Sequence, residues 1–365
     1  KWFSEEAKRS YGDTIPATDS KHRLTTIKQP IGVVAGITPW NFPIAMITRK
    51  VAPAYAAGCS FVIKPSEHTP LCAIALAYLA DKAGFVKGSL NVVVSENAKM
   101  VGEIMTESER VRKFTFTGST GVGKQLLSQC ASTIKRTSME LGGNAPFIIF
   151  DNADIDDAID GLMAAKFRNS GQACVAANRI FIQRNILNDV LEKITPKVAA
   201  LKVANGFDEN ADIGPLIYPK AKEKVQQLIK DALDKGATLI GDNSNLGGSF
   251  QNPLIVTNVT TQMDIYHEEV FGPVLTVIPF DEESEVLALA NDVPYGLAAY
   301  FYSQNIKQIY RISEGLEFGM VGVNEGVISN PVAPFGGVKQ SGLGREGGHQ
   351  GLDEYLEEKY VCIKV

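Results

Sequence analysis

Four short stretches of this 365-residue chain carry residues able to do chemistry. In "SGQAC", residues 170–174, a cysteine closes a Gly-Gln-Ala loop. A thiol displayed on such a loop becomes a nucleophile once ionised, whereas a thiol folded into a core is inert. In "SMELGG" (138–143), Glu140 stands before two glycines. A carboxylate placed there is either a general base or an exposed charge at a strand end. In "TPWNFP" (38–43), Asn41 lies between two prolines. Its amide either caps a helix or donates to a developing oxyanion. In "FTFTGSTGVGKQLL" (114–127), an alternating segment passes through a glycine cluster into a helical pattern. Such a loop holds phosphate on the N–H groups and dipole of a helix N-terminus, or is simply a tight turn.

The glycine loop matches no standard nucleotide signature. Gly118, Gly123 and Lys124 fit G-x-x-x-x-G-K, but Gln125 replaces the hydroxyl that would ligate magnesium. No clear strand ends in the aspartate that accompanies that motif. The dinucleotide pattern G-x-G-x-x-G also fails, because Gly121 and Gly123 are followed by Leu126. The loop alone leaves its ligand open.

The elements around these stretches alternate. "IGVVAGI" (31–37) reads as a buried strand, "FPIAMITRKVAPAYAAG" as a helix closed by Gly58 despite Pro53, and "CSFVIKP" as a strand. A helix from Pro70 sets Leu71, Ile74, Ala75, Tyr78 and Leu79 on one face. Residues 90–94 read as a strand, 98–105 as a helix and 113–117 as a strand. This β-α-β-α rhythm predicts a parallel sheet covered on both faces. A second set begins after "ELGGNAP" (140–146) with "FIIF", a long helix from near Asp154, and "RIFIQ". The early "RLTTIKQ" and the C-terminal "EYLEEKYVCIKV" each hold a strand that pairs with the other or with another chain.

Composition sets the outer bounds. A chain of 365 residues that is 45% hydrophobic has the material for two domains. A net charge of −5 without a basic stripe argues against a nucleic-acid partner. The longest apolar runs, such as "CAIALAYLA", fall short of the ~20 residues that span a bilayer. Cysteines 59, 72, 130, 174 and 362 are scattered and odd in number, as in a reducing compartment. Histidines 22, 68, 267 and 349 lack metal-ligand spacing, so no metal is expected. No signal peptide is visible. The chain opens at Lys1 in mid-pattern, so a preceding segment is expected.

Taken together, "TPWNFP", "KPSEHTP", "FTGSTGVG", "ELGGNAPFIIF", "GQAC", "EEVFGP" and "PFGGVKQSGLGRE" occur in one order along the chain. That order resembles the aldehyde dehydrogenase family from end to end. "PWNFPIAMITRK", "KFRNSGQAC", "GMVGVNEGVISN" and the "GREGG…EYLEEKYVC" tail resemble its succinate-semialdehyde dehydrogenase branch. The resemblance implies an α/β fold with a Rossmann-type NAD domain over 1–12 and 31–142, beginning part-way through. It further implies an α/β catalytic domain over 143–340 and a small β oligomerisation arm from 13–30 and 352–365.

The site residues follow from the same resemblance. Cys174 is implied as the nucleophile, Asn41 as an oxyanion donor and Glu140 as the base that activates water. Glu346 matches a carboxylate of a proton relay. NAD is the implied cofactor, with NADP weaker. It would be held by Thr38, Pro39, Trp40, Lys64, Pro65, Ser66, Glu67, the loop Gly118, Ser119, Thr120, Gly121, Val122 and Gly123, and by Leu141, Glu269 and Phe271. Arg49, Arg168 and Ser329 would clamp the distal carboxylate of succinate semialdehyde. A homodimer or homotetramer in the cytoplasm or mitochondrial matrix is implied, acting on a small molecule. The rival readings are another semialdehyde such as glutarate semialdehyde, an inactive fragment of such an enzyme, and, more distantly, a P-loop NTPase.

Overall fold

The computed structural model describes residues 1–365. They form two compact units. The first comprises Lys1–Leu141, Ser329–Gly336 and Gly342–Val365; the second comprises Gly142–Ile328 and Gly337–Ser341.

In the first unit, five parallel strands lie in the spatial order Arg136–Glu140, Val111–Thr117, Val33–Ile37, Ser60–Lys64, Leu90–Val92. The short strand Gly342–Leu343 joins antiparallel beside Arg136–Glu140. Helices Pro43–Ala56, Pro70–Lys82, Ala98–Glu107 and Thr120–Cys130 make the crossovers that parallel pairing requires. The chain starts in the middle at Val33–Ile37, grows outward to Leu90–Val92, and returns on the other side. That reversal is the topological switch point where open α/β sheets bind ligands, at the carboxyl ends of the strands.

The first crossover helix forms as expected. Pro43 sits at its first turn, and it closes with Gly58 N–H bonded to Tyr55 O (3.0 Å) and Cys59 N–H to Ala54 O (2.8 Å). Pro53 is tolerated inside it, although it removes the N–H that would bond the Arg49 carbonyl.

The Pro70–Lys82 helix departs from expectation. Its apolar face is present, but Leu71, Tyr78 and Leu79 are 75%, 60% and 59% exposed. The helix docks through Ala73 and Leu76, on the side opposite the stripe, and all five stripe residues stay exposed.

A separate antiparallel sheet in this unit joins Thr14–Ile15, His22–Pro30 and Leu356–Lys364. The early and C-terminal strands therefore pair with each other, in register from Leu356↔Pro30 to Lys364↔His22.

The second unit is built on a seven-stranded sheet. Its order is Thr238–Ile240, Leu254–Thr257, Val274–Phe280, Ala177–Gln183, Ala145–Ile149, Ala298–Tyr302, Met320–Val323. All neighbours are parallel except the first pair. "APFII" and "AAYFY" are buried along their whole length, as strands covered on both faces must be. Asp154 caps the following helix Ile155–Phe167 by accepting from the N–H groups of Asp156 and Asp157. No helix of the protein is long and apolar enough to cross a membrane.

Candidate active site

The first unit gathers most of the residues singled out for a dinucleotide at the carboxyl ends of its strands. Thr38 follows Val33–Ile37, Lys64 ends Ser60–Lys64, and Gly118 follows Val111–Thr117. Pro39 and Trp40 continue the turn after Thr38. Lys64 is buried, and its Nζ reaches Pro65 O (3.1 Å) and the Glu67 carboxylate (3.2 Å). Ser66 Oγ accepts from His68 N–H, which shapes the turn that exposes Glu67.

The glycine loop opens the helix Thr120–Cys130 with Ser119 as N-cap, yet no side chain caps that end. Its first-turn N–H groups are left for another acceptor. Nothing lies within 4 Å of the position a Cβ would take on Gly121, so the backbone is open to close approach. The hydroxyls of Thr38, Thr117 and Thr120 are buried and lack hydrogen-bond partners. Gly118 N–H bonds Glu140 O (3.0 Å), and Gly123 packs against Leu141. Uncapped N–H groups, orphaned hydroxyls and an open glycine at a switch point fit a dinucleotide pyrophosphate.

The "TPWNFP" turn resolves one choice. The N-cap of the Pro43–Ala56 helix is Phe42, so Asn41 is not consumed as its cap. Asn41 is half-buried.

Glu140 ends the Arg136–Glu140 strand and is buried, not an exposed strand-end charge. Neither carboxyl oxygen has a hydrogen-bond partner. Burial raises its pKa well above the usual carboxylate range, and the Glu346 carboxylate raises it further. Lys50, Arg49 and Arg345 oppose the shift. Glu346 is itself buried and paired with the fully buried Lys50 (2.5 Å), which also donates to Thr115 Oγ1. Removing one member of such a buried pair typically costs ~3–5 kcal/mol.

One residue before Lys50, the guanidinium of Arg49 donates from Nη2 to Ser329 Oγ (2.5 Å) and lies over the Phe335 ring, 4.0 Å from its centroid. Arg49 Nη1 is buried without a partner. Sequence reading found Arg49 and Ser329 but missed Lys50 and Phe335. The only trace of Phe335 was its place in "PFGGVKQSGLGRE".

In the second unit, Cys174 follows the Ile155–Phe167 helix and a turn, Arg168–Gly171, with a left-handed backbone. Asn169, Ser170 and Gly171 have φ of 53°, 58° and 77°. Non-glycine residues in this region cost ~1–3 kcal/mol each, so the surrounding structure must hold the loop. Ser170 Oγ donates to Gly214 O (3.0 Å), Gln172 Oε1 accepts from Ile217 N–H (3.0 Å), and the Tyr300 hydroxyl donates to Val175 O (2.8 Å). Cys174 is half-buried between the buried Ala173 and Val175. It is also the only cysteine of this unit.

The same loop meets two other flagged segments. A Cβ on Gly171 would stand 2.2 Å from Gly272 O, in the "EEVFGP" turn, and one on Gly143 would stand 2.9 Å from Cys174 O. Glycine is required at 171 on both counts, left-handed φ and backbone contact.

Gly143 N–H also bonds Glu269, which is half-buried beside Phe271. Burial pushes the Glu269 carboxyl up to about 7 against the pull of Lys224, the Gly143 N–H and Lys166. Lys166 is fully buried, and burial pushes it down to about 7. Arg168 is exposed at the C-terminal end of its helix.

A 3-sulfolactaldehyde dehydrogenase of Pseudomonas putida is 55% identical over 364 residues, covering 99% of this chain and 75% of that protein. A mitochondrial succinate-semialdehyde dehydrogenase of Oryza sativa subsp. japonica is also 55% identical, covering 99% of this chain and 69% of that protein. The crystal structure of an aldehyde dehydrogenase from Brucella melitensis biovar abortus 2308 superposes with a TM-score of 0.98 at 56% identity, covering 100% of this chain and 75% of that one. The aldehyde dehydrogenase family model matches residues 1–361. The chain belongs to the aldehyde dehydrogenase family, whose members oxidise aldehydes with NAD or NADP.

Proposed function

We propose that the protein oxidises succinate semialdehyde to succinate. The observation that carries this reading is Arg49, held on Ser329 and Phe335 with a buried N–H donor that lacks an acceptor. An orphaned guanidinium donor calls for an anionic oxygen, and arginine suits a carboxylate by its forked geometry. Arg168 is the second cation of the proposed clamp.

The chemistry proposed for the chain's own residues is short. The Cys174 thiolate attacks the aldehyde carbon, and the Asn41 amide with the Cys174 N–H stabilises the oxyanion. A bound nicotinamide dinucleotide supplies the hydride acceptor. Cys174 is left as a thioester, and Glu140 takes a proton from the water that hydrolyses it. Glu269 and Phe271 would hold the nicotinamide end of that cofactor, and Lys64 and Glu67 its adenosine ribose.

In this reading residues 1–12 and 31–142 are the cofactor domain and 143–340 the catalytic domain. Strands 13–30 and 352–365 join copies into a homodimer or homotetramer, in the cytoplasm or the mitochondrial matrix.

The test is substrate discrimination. Arg49→Ala and Arg168→Ala should each lower kcat/KM for succinate semialdehyde by ten- to a hundredfold or more, at ~1.5–3 kcal/mol per charge-assisted hydrogen bond. Butanal, of equal carbon count, should lose far less. Equal losses on both aldehydes would overturn the clamp. A sulfonate oxygen satisfies the same donor, and the 55%-identical relative named for 3-sulfolactaldehyde makes that the second reading. Steady-state kinetics on succinate semialdehyde, glutarate semialdehyde and 3-sulfolactaldehyde ranks the three directly.

Cofactor choice gives a separate expectation. Glu67 is proposed to accept from the adenosine ribose hydroxyls, so a 2′-phosphate would face its carboxylate. At 4 Å and an effective dielectric near 20 the repulsion is about 4 kcal/mol. Lys64 at 3.2 Å and solvent around the exposed carboxylate remove much of it. NAD should therefore be preferred by about ten- to a hundredfold, ~1.4–2.7 kcal/mol. Glu67→Ser should narrow the ratio of kcat/KM values, and an unchanged ratio would show that another residue selects.

A further inference from the structure

We propose that Phe335 is a positioning residue for anion recognition: its ring is the platform that fixes the plane of the Arg49 guanidinium, so that Nη1 faces an incoming carboxylate already oriented. The proposal rests on the reading of Arg49 as the substrate's anion anchor.

Three observations carry it. The Arg49 guanidinium carbon lies 4.0 Å from the Phe335 ring centroid, which is stacking distance for a planar cation on a ring face. The ring is 5% exposed, and its backbone is locked to Glu346 by two hydrogen bonds, Phe335 N–H to Glu346 O (2.6 Å) and Glu346 N–H to Phe335 O (2.7 Å). Glu346 is in turn the partner of Lys50, the residue next to Arg49. Two consecutive cations of one helix thus engage two residues that pair across one bridge, and the ring has no freedom to swing away.

The consequence is preorganisation. A free arginine side chain samples many rotamers, and a ligand that binds it must order them. With one face of the guanidinium on Phe335 and Nη2 held by Ser329, the direction of the buried, unpartnered Nη1 is set before substrate arrives. A neutral aldehyde does not use that donor. The platform should therefore act on the affinity for anionic aldehydes and not on the chemical step. The backbone runs from the ring directly to Gly336, where an added Cβ would stand 2.9 Å from a Glu140 oxygen. A kcat readout is therefore needed to separate the platform from the neighbouring base.

The experiment compares Phe335→Leu, Phe335→Tyr and Arg49→Ala, each assayed on succinate semialdehyde and on butanal. Phe335→Leu should raise KM for succinate semialdehyde about tenfold with kcat within a few-fold of wild type, and shift KM for butanal no more than a few-fold. Phe335→Tyr keeps the ring face and should restore the low KM. An unchanged KM in Phe335→Leu, or an equal loss on both aldehydes including complete inactivation, would overturn the platform. Failure of Phe335→Tyr to restore KM would do the same. If Arg49→Ala weakens succinate semialdehyde selectively while Phe335→Leu does not, the anchor stands and the platform falls. If Arg49→Ala itself has no selective effect, the anchor reading falls and takes the platform with it.

Discussion

Cys174→Ala is expected to abolish aldehyde oxidation, by on the order of 10⁴-fold or more, while nucleotide binding survives. Without the Cys174 thiolate the proposed covalent adduct does not form. The other four cysteines all lie in the first unit. Two of them, Cys59 and Cys130, are buried, and burial pushes their thiols up, Cys130 to about 11. They stay protonated at neutral pH and cannot serve as substitutes. The substitution removes one sulfur from a half-buried position, so the hydrogen bonds of Ser170, Gln172 and Tyr300 that hold the loop remain. The measurement is NADH formation together with NAD titration by fluorescence. Substantial turnover in the variant would contradict the covalent route.

Glu140→Gln should lower steady-state turnover by roughly 10²–10⁴-fold, the usual contribution of a general base, yet preserve a first-turnover burst of NADH. Thioester formation does not need the base, whereas its hydrolysis does. The amide has nearly the shape of the carboxyl it replaces, and no hydrogen bond to either oxygen is lost.

The pH profile carries the sign. Burial and the Glu346 charge hold the proton on Glu140, so the base form accumulates only well above the usual carboxylate range. Wild-type turnover should therefore rise with pH through that raised value. Glu346→Gln removes the like charge and frees Lys50 to attract Glu140. Both effects lower the Glu140 pKa, so the acid limb should move to lower pH. A limb that stays in place, or moves up, would separate Glu140 from the limiting step.

"TPWNFP", the glycine loop and "GQAC" were visible because each is local: a few consecutive residues join one element to the next, and turn chemistry forces their types. The parallel order was legible from alternating strand and helix periods. What stayed hidden is long-range. The sequence around Glu140 is equally that of a solvated strand end; the antiparallel strand Gly342–Leu343 and Glu346, both distant in sequence, lie beside it in the fold. Lys50 and Glu346 are separated by 296 positions, and no pattern in either neighbourhood announces the other. The phenyl platform under Arg49 was hidden for the same reason. The apolar stripe on Pro70–Lys82 shows the converse limit, since periodicity reports which side of a helix is apolar, whereas the side that packs here is the opposite one, through Ala73 and Leu76.

On the proposed route the chain carries the acyl group of an anionic semialdehyde on Cys174. Its most direct measurement is mass spectrometry of Glu140→Gln, acid-quenched after mixing with NAD and succinate semialdehyde. One succinyl group per chain is expected, on the peptide that contains Cys174, formed in step with the NADH burst. NADH formed with no acyl group on Cys174, or an acyl group on any other residue, would contradict it.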